Sequence, residues 1–176
     1  VVERLALQAA GIEAMLDGQL ALEAPFDVSI ALQGRLVTPG SENVPGLVFP
    51  FSLEATGTPK DLQFTLASPG LELGTEPLKL TISGSLSATG VHLERMTLTG
   101  SGLDLEAGGT VGWSPGKQTG LKLVIHRLDL SPWLAAWPAG QQLLGDLELN
   151  WSDSGLKIPY GKLRVAGTDL AVNLAA

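Results

Sequence analysis

The stretch Gly102-Leu103-Asp104-Leu105-Glu106-Ala107-Gly108-Gly109-Thr110-Val111-Gly112-Trp113 decides how this chain folds. Its odd positions, from Leu103 through Leu105, Ala107, Gly109 and Val111 to Trp113, are apolar or small. Its even positions carry Asp104, Glu106 and Thr110. A period of two is the signature of a strand with one apolar and one wet face. The same rhythm recurs in Leu78, Leu80 and Ile82, in Leu121, Leu123 and Ile125, in Leu147, Leu149 and Trp151, and in Leu170, Val172 and Leu174. Almost no helical sequence is present to cover that face. The expectation is an all-β chain, a curled antiparallel β-sheet with an apolar concave face. Either two sheets close over each other, or the face is left open as a groove.

Working outward, strand candidates fall at 77–88, 91–99, 103–113, 119–129, 145–152, 156–165 and 168–174. Turns such as Ala88-Thr89-Gly90, Gly100-Ser101-Gly102 and Ser114-Pro115-Gly116 separate them. Even spacing of about 8–12 residues marks an all-β meander, and short turns permit antiparallel neighbours only. Towards the N-terminus, Phe26, Val28, Ile30 and Leu32 alternate with polar residues, as do Leu47, Phe49, Phe51, Leu53 and Ala55. Pro50 within the latter run points to an edge or a bulge. Leu62, Phe64 and Leu66 make a further strand, after which Pro69, Gly70 and Gly74 break the pattern. A loop spans 38–45. The first residues read as strands 2–9, 12–17 and 19–24, with turns at Gly11 and Gly18. Leu5, Ala9, Ile12, Leu16 and Leu20 also approximate a helical period. One short helix is expected over Ser131–Pro138, with Ser131 as N-cap, Pro132 in the first turn, and Trp133 and Trp137 on a shared face. It reads as a plug on the end of the sheet.

Composition narrows the function classes. Of the 176 residues 44% are hydrophobic but only 5% aromatic, so the grease is aliphatic. The net charge of −7 and the lack of a basic run argue against nucleic acid as a partner. There is no cysteine, which excludes a disulfide scaffold and a thiolate metal site. The chain opens Val1-Val2-Glu3, with neither Met nor a signal sequence, and no run approaches the roughly 18 apolar residues of a membrane helix. It reads as one β-groove segment, 1–176, of a longer repeat protein.

Catalytic and cofactor chemistry has no foothold. His92 and His126 are the only histidines and fall on separate strands, so no metal site is expected. Asp104 and Glu106, like Asp146 and Glu148, are paired by strand alternation and belong to a solvated face. No serine lies in a nucleophile elbow, and the Gly-x-Gly strings are turns. The expectation is a non-enzyme without catalytic residues, cofactor or metal.

Past Trp113 the chain continues through a strand to Leu128-Asp129-Leu130-Ser131-Pro132-Trp133-Leu134, then Trp137-Pro138, then Leu144-Gly145-Asp146-Leu147. Over roughly 77–176 this resembles the repeats of the TamB and AsmA-like family, the translocation and assembly module proteins. The resemblance implies a periplasmic segment of an inner-membrane-anchored protein in a Gram-negative bacterium. It also implies a "β-taco" groove, a TamA-like outer-membrane partner engaged through the full-length protein, and a part in outer-membrane biogenesis. Autotransporter assembly and phospholipid transport are the activities it points to. The cargo would be phospholipid acyl chains or nascent outer-membrane protein strands. The family has no catalytic residues to carry over. Its functional element, the apolar face, maps onto Leu78, Leu80, Ile82, Leu103, Leu105, Val111, Trp113, Leu121, Leu123, Ile125, Leu147, Leu149, Trp151, Leu170, Val172 and Leu174.

Physical reasoning from the residues runs alongside. About twenty aliphatic side chains on one face exceed what a soluble monomer usually exposes. About a dozen strands at ~4.8 Å would give a trough on the order of 55 Å long. A closed β-sandwich, structural or adhesin-like, accounts for the alternation equally well. A membrane β-barrel would bring aromatic girdles that this composition lacks.

Overall fold

The computed structural model describes residues 2–9, 12–20, 27–38, 47–73, 76–113, 119–132, 136–152 and 155–175. The chain divides into two compact units, Val1–Ala88 and Thr89–Ala176. Both are open antiparallel β-sheets, neither closed into a barrel.

The first unit holds β1 (Val2–Ala9), β2 (Ile12–Leu20), β3 (Val28–Thr38), β4 (Leu47–Thr58), β5 (Asp61–Leu73) and β6 (Glu76–Ser87). The second holds β7 (Gly90–Thr99), β8 (Leu103–Gly112), β9 (Thr119–Leu128), β10 (Leu143–Ser152), β11 (Gly155–Val165), β12 (Thr168–Ala171) and β13 (Leu174–Ala175). Within each unit, successive strands up to β12 pair antiparallel in chain order. β13 pairs with β11, as β12 does.

Register places the aliphatic series of neighbouring strands side by side. In the second unit Leu105 lies opposite Ile125, Ala107 opposite Leu123 and Gly109 opposite Leu121. Leu123 in turn lies opposite Leu147, and Leu121 opposite Leu149. In the first unit Leu32 pairs with Leu53, Leu53 with Leu66, and Leu66 with Ile82. Cross-strand aliphatic neighbours of this kind are the unit of sheet stabilisation.

β5, β7, β9 and β11 each change the phase of their apolar residues partway along. β5 passes from Leu62, Phe64 and Leu66 to Leu71 and Leu73. β7 passes from Val91 and Leu93 to Met96 and Leu98. β9 passes from Leu121, Leu123 and Ile125 to Leu128, and β11 from Leu156 and Ile158 to Leu163 and Val165. A phase change in a regular strand would turn half of its leucines to water. Each instead coincides with a register shift that adds one residue to that strand: Ser68/Leu71, Leu93/Met96, Asp104/Leu105 and Glu148/Asn150. The bulge absorbs the odd residue, so the aliphatic series stays on one face.

Several expectations are corrected by this ladder. Pro69 and Gly70 do not end a strand: they are the bulge of β5, which runs on to Leu73. Gly18 is not a turn but a member of β2, paired with Ile30. The strands expected at 12–17 and 19–24 are therefore continuous as far as Leu20, and β1 and β2 are strands rather than helix. The strand expected over 168–174 is two short pieces, β12 and β13. The short helix over Ser131–Pro138 is not found among the described residues. Ser131, Pro132 and Ala136 lie in turns, and 133–135 fall outside the described residues. Gly11, 21–24, the loop from 39 to 45, Gly74 and the turn at 114–116 also lie outside the described residues.

Pro50 does mark an irregularity. It pairs in register with Arg35 on β3, while towards β5 the ladder is interrupted between Val48 and Ser52. A proline has no N–H to give to a ladder, which fits the interruption towards β5.

Candidate functional site: the apolar face

In the second unit the apolar face is built from rows that cross the strands. One row runs Leu98, Leu105, Ile125, Gly145, Leu163, Leu170. The next runs Met96, Ala107, Leu123, Leu147, Gly161. The one after runs Leu93, Gly109, Leu121, Leu149. Each of these three rows thus carries a glycine among larger aliphatics.

Those glycines set how closely the strands pack. Gly109 (φ 143°) and Gly145 (φ 155°) adopt backbone conformations that side chains rarely tolerate. A methyl at Gly109 would run into the Gly120 carbonyl, and one at Gly145 into the Lys162 carbonyl.

The face is not sealed. Among the described hydrophobic residues only Ala55, Leu78, Leu103 and Ile125 fall into the fully buried class, the last three at 2%, 5% and 5% exposure. A closed sandwich would bury the inward residues of every central strand. Here Leu105, Leu121, Leu123, Leu147 and Leu149 sit mid-sheet and remain only half-buried.

The residues expected to line a groove divide between the units. Leu78 (buried), Leu80 and Ile82 (half-buried) belong to β6 of the first unit. Leu103, Leu105, Val111, Leu121, Leu123, Ile125, Leu147 and Leu149 form the continuous central part of the second unit's face. Trp113, Trp151 and Leu170 are exposed at 54%, 62% and 48%. Val172 is half-buried, its N–H donating to the Gly161 carbonyl. Leu174 is paired with Ile158.

Sequence reasoning passed over the aliphatics of β7 (Val91, Leu93, Met96, Leu98), and Leu143, Leu163 and Val165 on β10 and β11. The alternating series of β3 to β5 reads from the sequence as apolar strand faces but is not counted among the groove residues. The phase change at each bulge hid part of this set, because a search for strict alternation stops there. One polar residue interrupts the face. Ser68, opposite Leu80, is fully buried, and its hydroxyl has no hydrogen-bond partner.

The opposite face is wet and charge-paired. Lys122 lies across from Glu148, Asp146 across from Lys162, and Asp104 across from Arg127. Each carboxylate singled out from the sequence thus has a basic residue across the ladder or in an ion pair. Arg95 Nη2 donates to Glu106 Oε2 at 3.0 Å, and His126 Nε2 lies 4.0 Å from the same oxygen. Arg95 and His126 both come from bulges, which bring them towards Glu106. His92 Nδ1 and Thr110 Oγ1 are 3.3 Å apart, and both histidines are exposed. Arg164 Nε donates to Asp169 Oδ1 at 2.6 Å across the β11–β12 hairpin. That bond holds the Asp169 carboxyl below the usual carboxylate value and the guanidinium above its own. A shallow depression lined by Asp146, Lys162, Arg164 and Asp169 lies on this wet side, and its cations already face Asp169.

At one end of the second unit, hydrogen bonds close the turns. Asp129 N donates to the Gly102 carbonyl at 2.7 Å, and Ser131 N donates to Asp129 Oδ1 at 2.9 Å. The Ser131 N–H is the main reason that the Asp129 carboxyl titrates below its ordinary value. Trp137 Nε1 donates to the Gln141 carbonyl at 2.9 Å. No group of three or more metal-ligating side chains occurs among the described residues. No helix among them is long and apolar enough to cross a membrane. Compared with family models, curated proteins and solved structures, the chain matches none.

Proposed function

We propose that this chain is a non-catalytic, periplasmic β-groove segment of a TamB/AsmA-like protein. In this reading its apolar sheet face shields phospholipid acyl chains on their way between inner and outer membranes. The observation that carries it is the half-buried aliphatic face of Leu105, Leu121, Leu123, Leu147 and Leu149 on an open sheet. Such a surface loses free energy when covered, at about 25 cal/mol per Å² of apolar area removed from water. It carries no ordered array of donors and acceptors, so its cargo must be held by burial alone. Acyl chains meet that requirement. Nascent outer-membrane strands bring backbone N–H and C=O groups that need partners, which an aliphatic face does not give.

The placement in the periplasm, the inner-membrane anchor elsewhere in the full-length protein, and the TamA-like outer-membrane partner rest on the repeat-like motifs of 102–147. Native mass spectrometry of the purified chain tests the cargo. Co-purifying phospholipid, displaced by added fatty acid, is the expected result. A chain that carries neither lipid nor hydrophobic dye while folded would leave a closed sandwich as the better account. Retention of unfolded outer-membrane protein without lipid would transfer the role to protein cargo.

A further inference from the structure

Ser68 and Leu78 are the deepest described points on the first unit's apolar face, at 0% and 2% exposure. Leu78 suits that depth, whereas Ser68 ends in a hydroxyl with no hydrogen-bond partner. Ser68 is in phase with Phe64 and Leu66 and opposite Leu80, so it belongs to the apolar side. An unpaired buried hydroxyl is destabilising, and native structures keep few of them. The ladder is irregular on both sides of it. β5 bulges at Pro69 and Gly70, between the pairs Ser68–Leu80 and Leu71–Leu78. Towards β4, pairing stops at Ser52–Ala67 and resumes at Val48–Glu72, which leaves Phe49, Pro50 and Phe51 without partners on β5. Phe51 stands one step beyond Ser52, as Ser68 stands one step beyond Ala67, so the two adjoin where the pairing stops. The rings of Phe49 and Phe51 are stacked at 5.7 Å and half-buried. On its other flank Phe51 lies opposite Gly34, which has no side chain to pin the ring. A stretch without ladder bonds on one side is where a sheet opens most readily.

We infer that Ser68 is a polar anchor for the acyl carbonyl of a bound lipid. The Phe51 ring turns aside, the Ser68 hydroxyl donates to the ester carbonyl oxygen, and the hydrocarbon chain lies over the aliphatic rows. This rests on the lipid-shielding reading above and carries it to the first unit. The chemistry of the spot selects the occupant. It offers one hydroxyl among Phe51, Leu66, Leu78 and Leu80, so a ligand there must be apolar save for one hydrogen-bonding atom. Bare hydrocarbon would leave the hydroxyl unpaired. A peptide strand would bring a series of N–H and C=O groups, most of them unmet. A fatty-acyl ester brings a long apolar chain and a carbonyl acceptor without a donor. Lys79, between Leu78 and Leu80, is exposed and in the opposite phase, so it does not stand by for a free carboxylate. The neutral ester carbonyl is the better match. Beside the anchor, the row Leu32, Leu53, Leu66, Ile82 gives the chain a course across the strands.

The test compares lysophosphatidylcholine, whose chain is joined through an ester, with its ether analogue, which has the same chain and headgroup but no carbonyl. Both are titrated against the whole chain below their micellar concentrations. The first equivalent of the ester should bind about fivefold more tightly than that of the ether. Ser68→Ala should lose this preference and keep the ether affinity within about twofold. In the infrared, an ester with a carbon-13 carbonyl should show its stretching band at lower wavenumber on the native chain than on Ser68→Ala. Circular dichroism should show the variant folded. Equal binding of the two lipids by the native chain, or an ester preference that survives Ser68→Ala, would overturn the anchor and leave the lipid-shielding reading standing. Equal loss of both lipids in Ser68→Ala would also overturn it, since the serine would then act through packing. Binding of neither lipid by the native chain would overturn the anchor and the shielding together.

Discussion

Leu163 leans over Gly145: a methyl group placed on that glycine would come within 2.9 Å of the leucine Cδ2. The two residues face each other across the β10–β11 ladder, and Ile125 flanks Gly145 on its other side. The glycine is therefore a seat for its larger neighbour, and its φ of 155° makes the backbone there intolerant of a side chain.

Gly145→Ala should destabilise the second unit by at least about 2 kcal/mol, through backbone strain and the collision with the Lys162 carbonyl. Gly140→Ala is the control, since its φ is also positive (78°) but nothing lies within 4 Å of the added methyl. It should cost only about 1 kcal/mol. Urea unfolding of the two variants side by side measures the difference. Equal midpoints would mean that the β10–β11 spacing is not set by Gly145.

Ser68→Ala should leave stability unchanged or raise it by up to about 1 kcal/mol. The native hydroxyl is buried without a partner, so its removal loses no hydrogen bond and relieves a desolvated polar group. A loss of more than about 1 kcal/mol in thermal melting would mean that the hydroxyl is satisfied in solution.

The strand rhythm of the second half was legible because each leucine series is long enough to establish period two by itself. Leu121, Leu123 and Ile125 did fall beside Leu147 and Leu149. The bulges were not legible, because a bulge is visible only against the partner strand. Pro69-Gly70 reads locally as a break, yet in the ladder it is one extra residue in a continuing strand. The helix expected at Ser131 rested on a cap and a tryptophan pair. Those are local signals, whereas the Asp129–Ser131 and Trp137–Gln141 hydrogen bonds that organise the described part of this connection are turn contacts. Openness of the face was undecided by the sequence, since alternation is the same whether a second sheet covers it or not.

Asp169 carries a pH prediction whose sign follows from its lowered pKa. Unfolded, its carboxyl titrates near about 3.9. Folded, the Arg164 hydrogen bond holds it lower, so the ionised form favours the folded state. That contribution is fully present above the unfolded value and is lost as the pH falls through the folded one. Asp169→Asn should therefore lower the melting temperature slightly at neutral pH, and the gap to the native chain should close below about pH 4. The pair is exposed, so the effect is small and should shrink further in high salt. A gap that persists unchanged into acid would assign the loss to something other than the carboxylate charge.

The decisive prediction concerns charge on the apolar face. Leu105 and Leu123 are half-buried, whereas Ile125, opposite Leu105 and two residues along β9 from Leu123, is 5% exposed. From the half-buried sites an arginine can extend its guanidinium to water past neighbours that do not seal the face. Leu105→Arg and Leu123→Arg should each cost no more than about 2 kcal/mol and leave the chain folded. Both should abolish binding of acyl chains, because the charge would have to be desolvated under the cargo. Ile125→Arg has no such escape and should cost several kcal/mol, enough to unfold the unit. On the wet face, Asp104→Lys and Lys122→Glu should change stability by within about 1 kcal/mol, the second placing two carboxylates opposite each other at Glu148. Neither should affect a lipid probe. Thermal melts run together with a fluorescent fatty-acid titration separate the outcomes. Unfolding by Leu105→Arg and Leu123→Arg as severe as that by Ile125→Arg would mean that the face is a closed core. The proposed cargo would then have nowhere to sit.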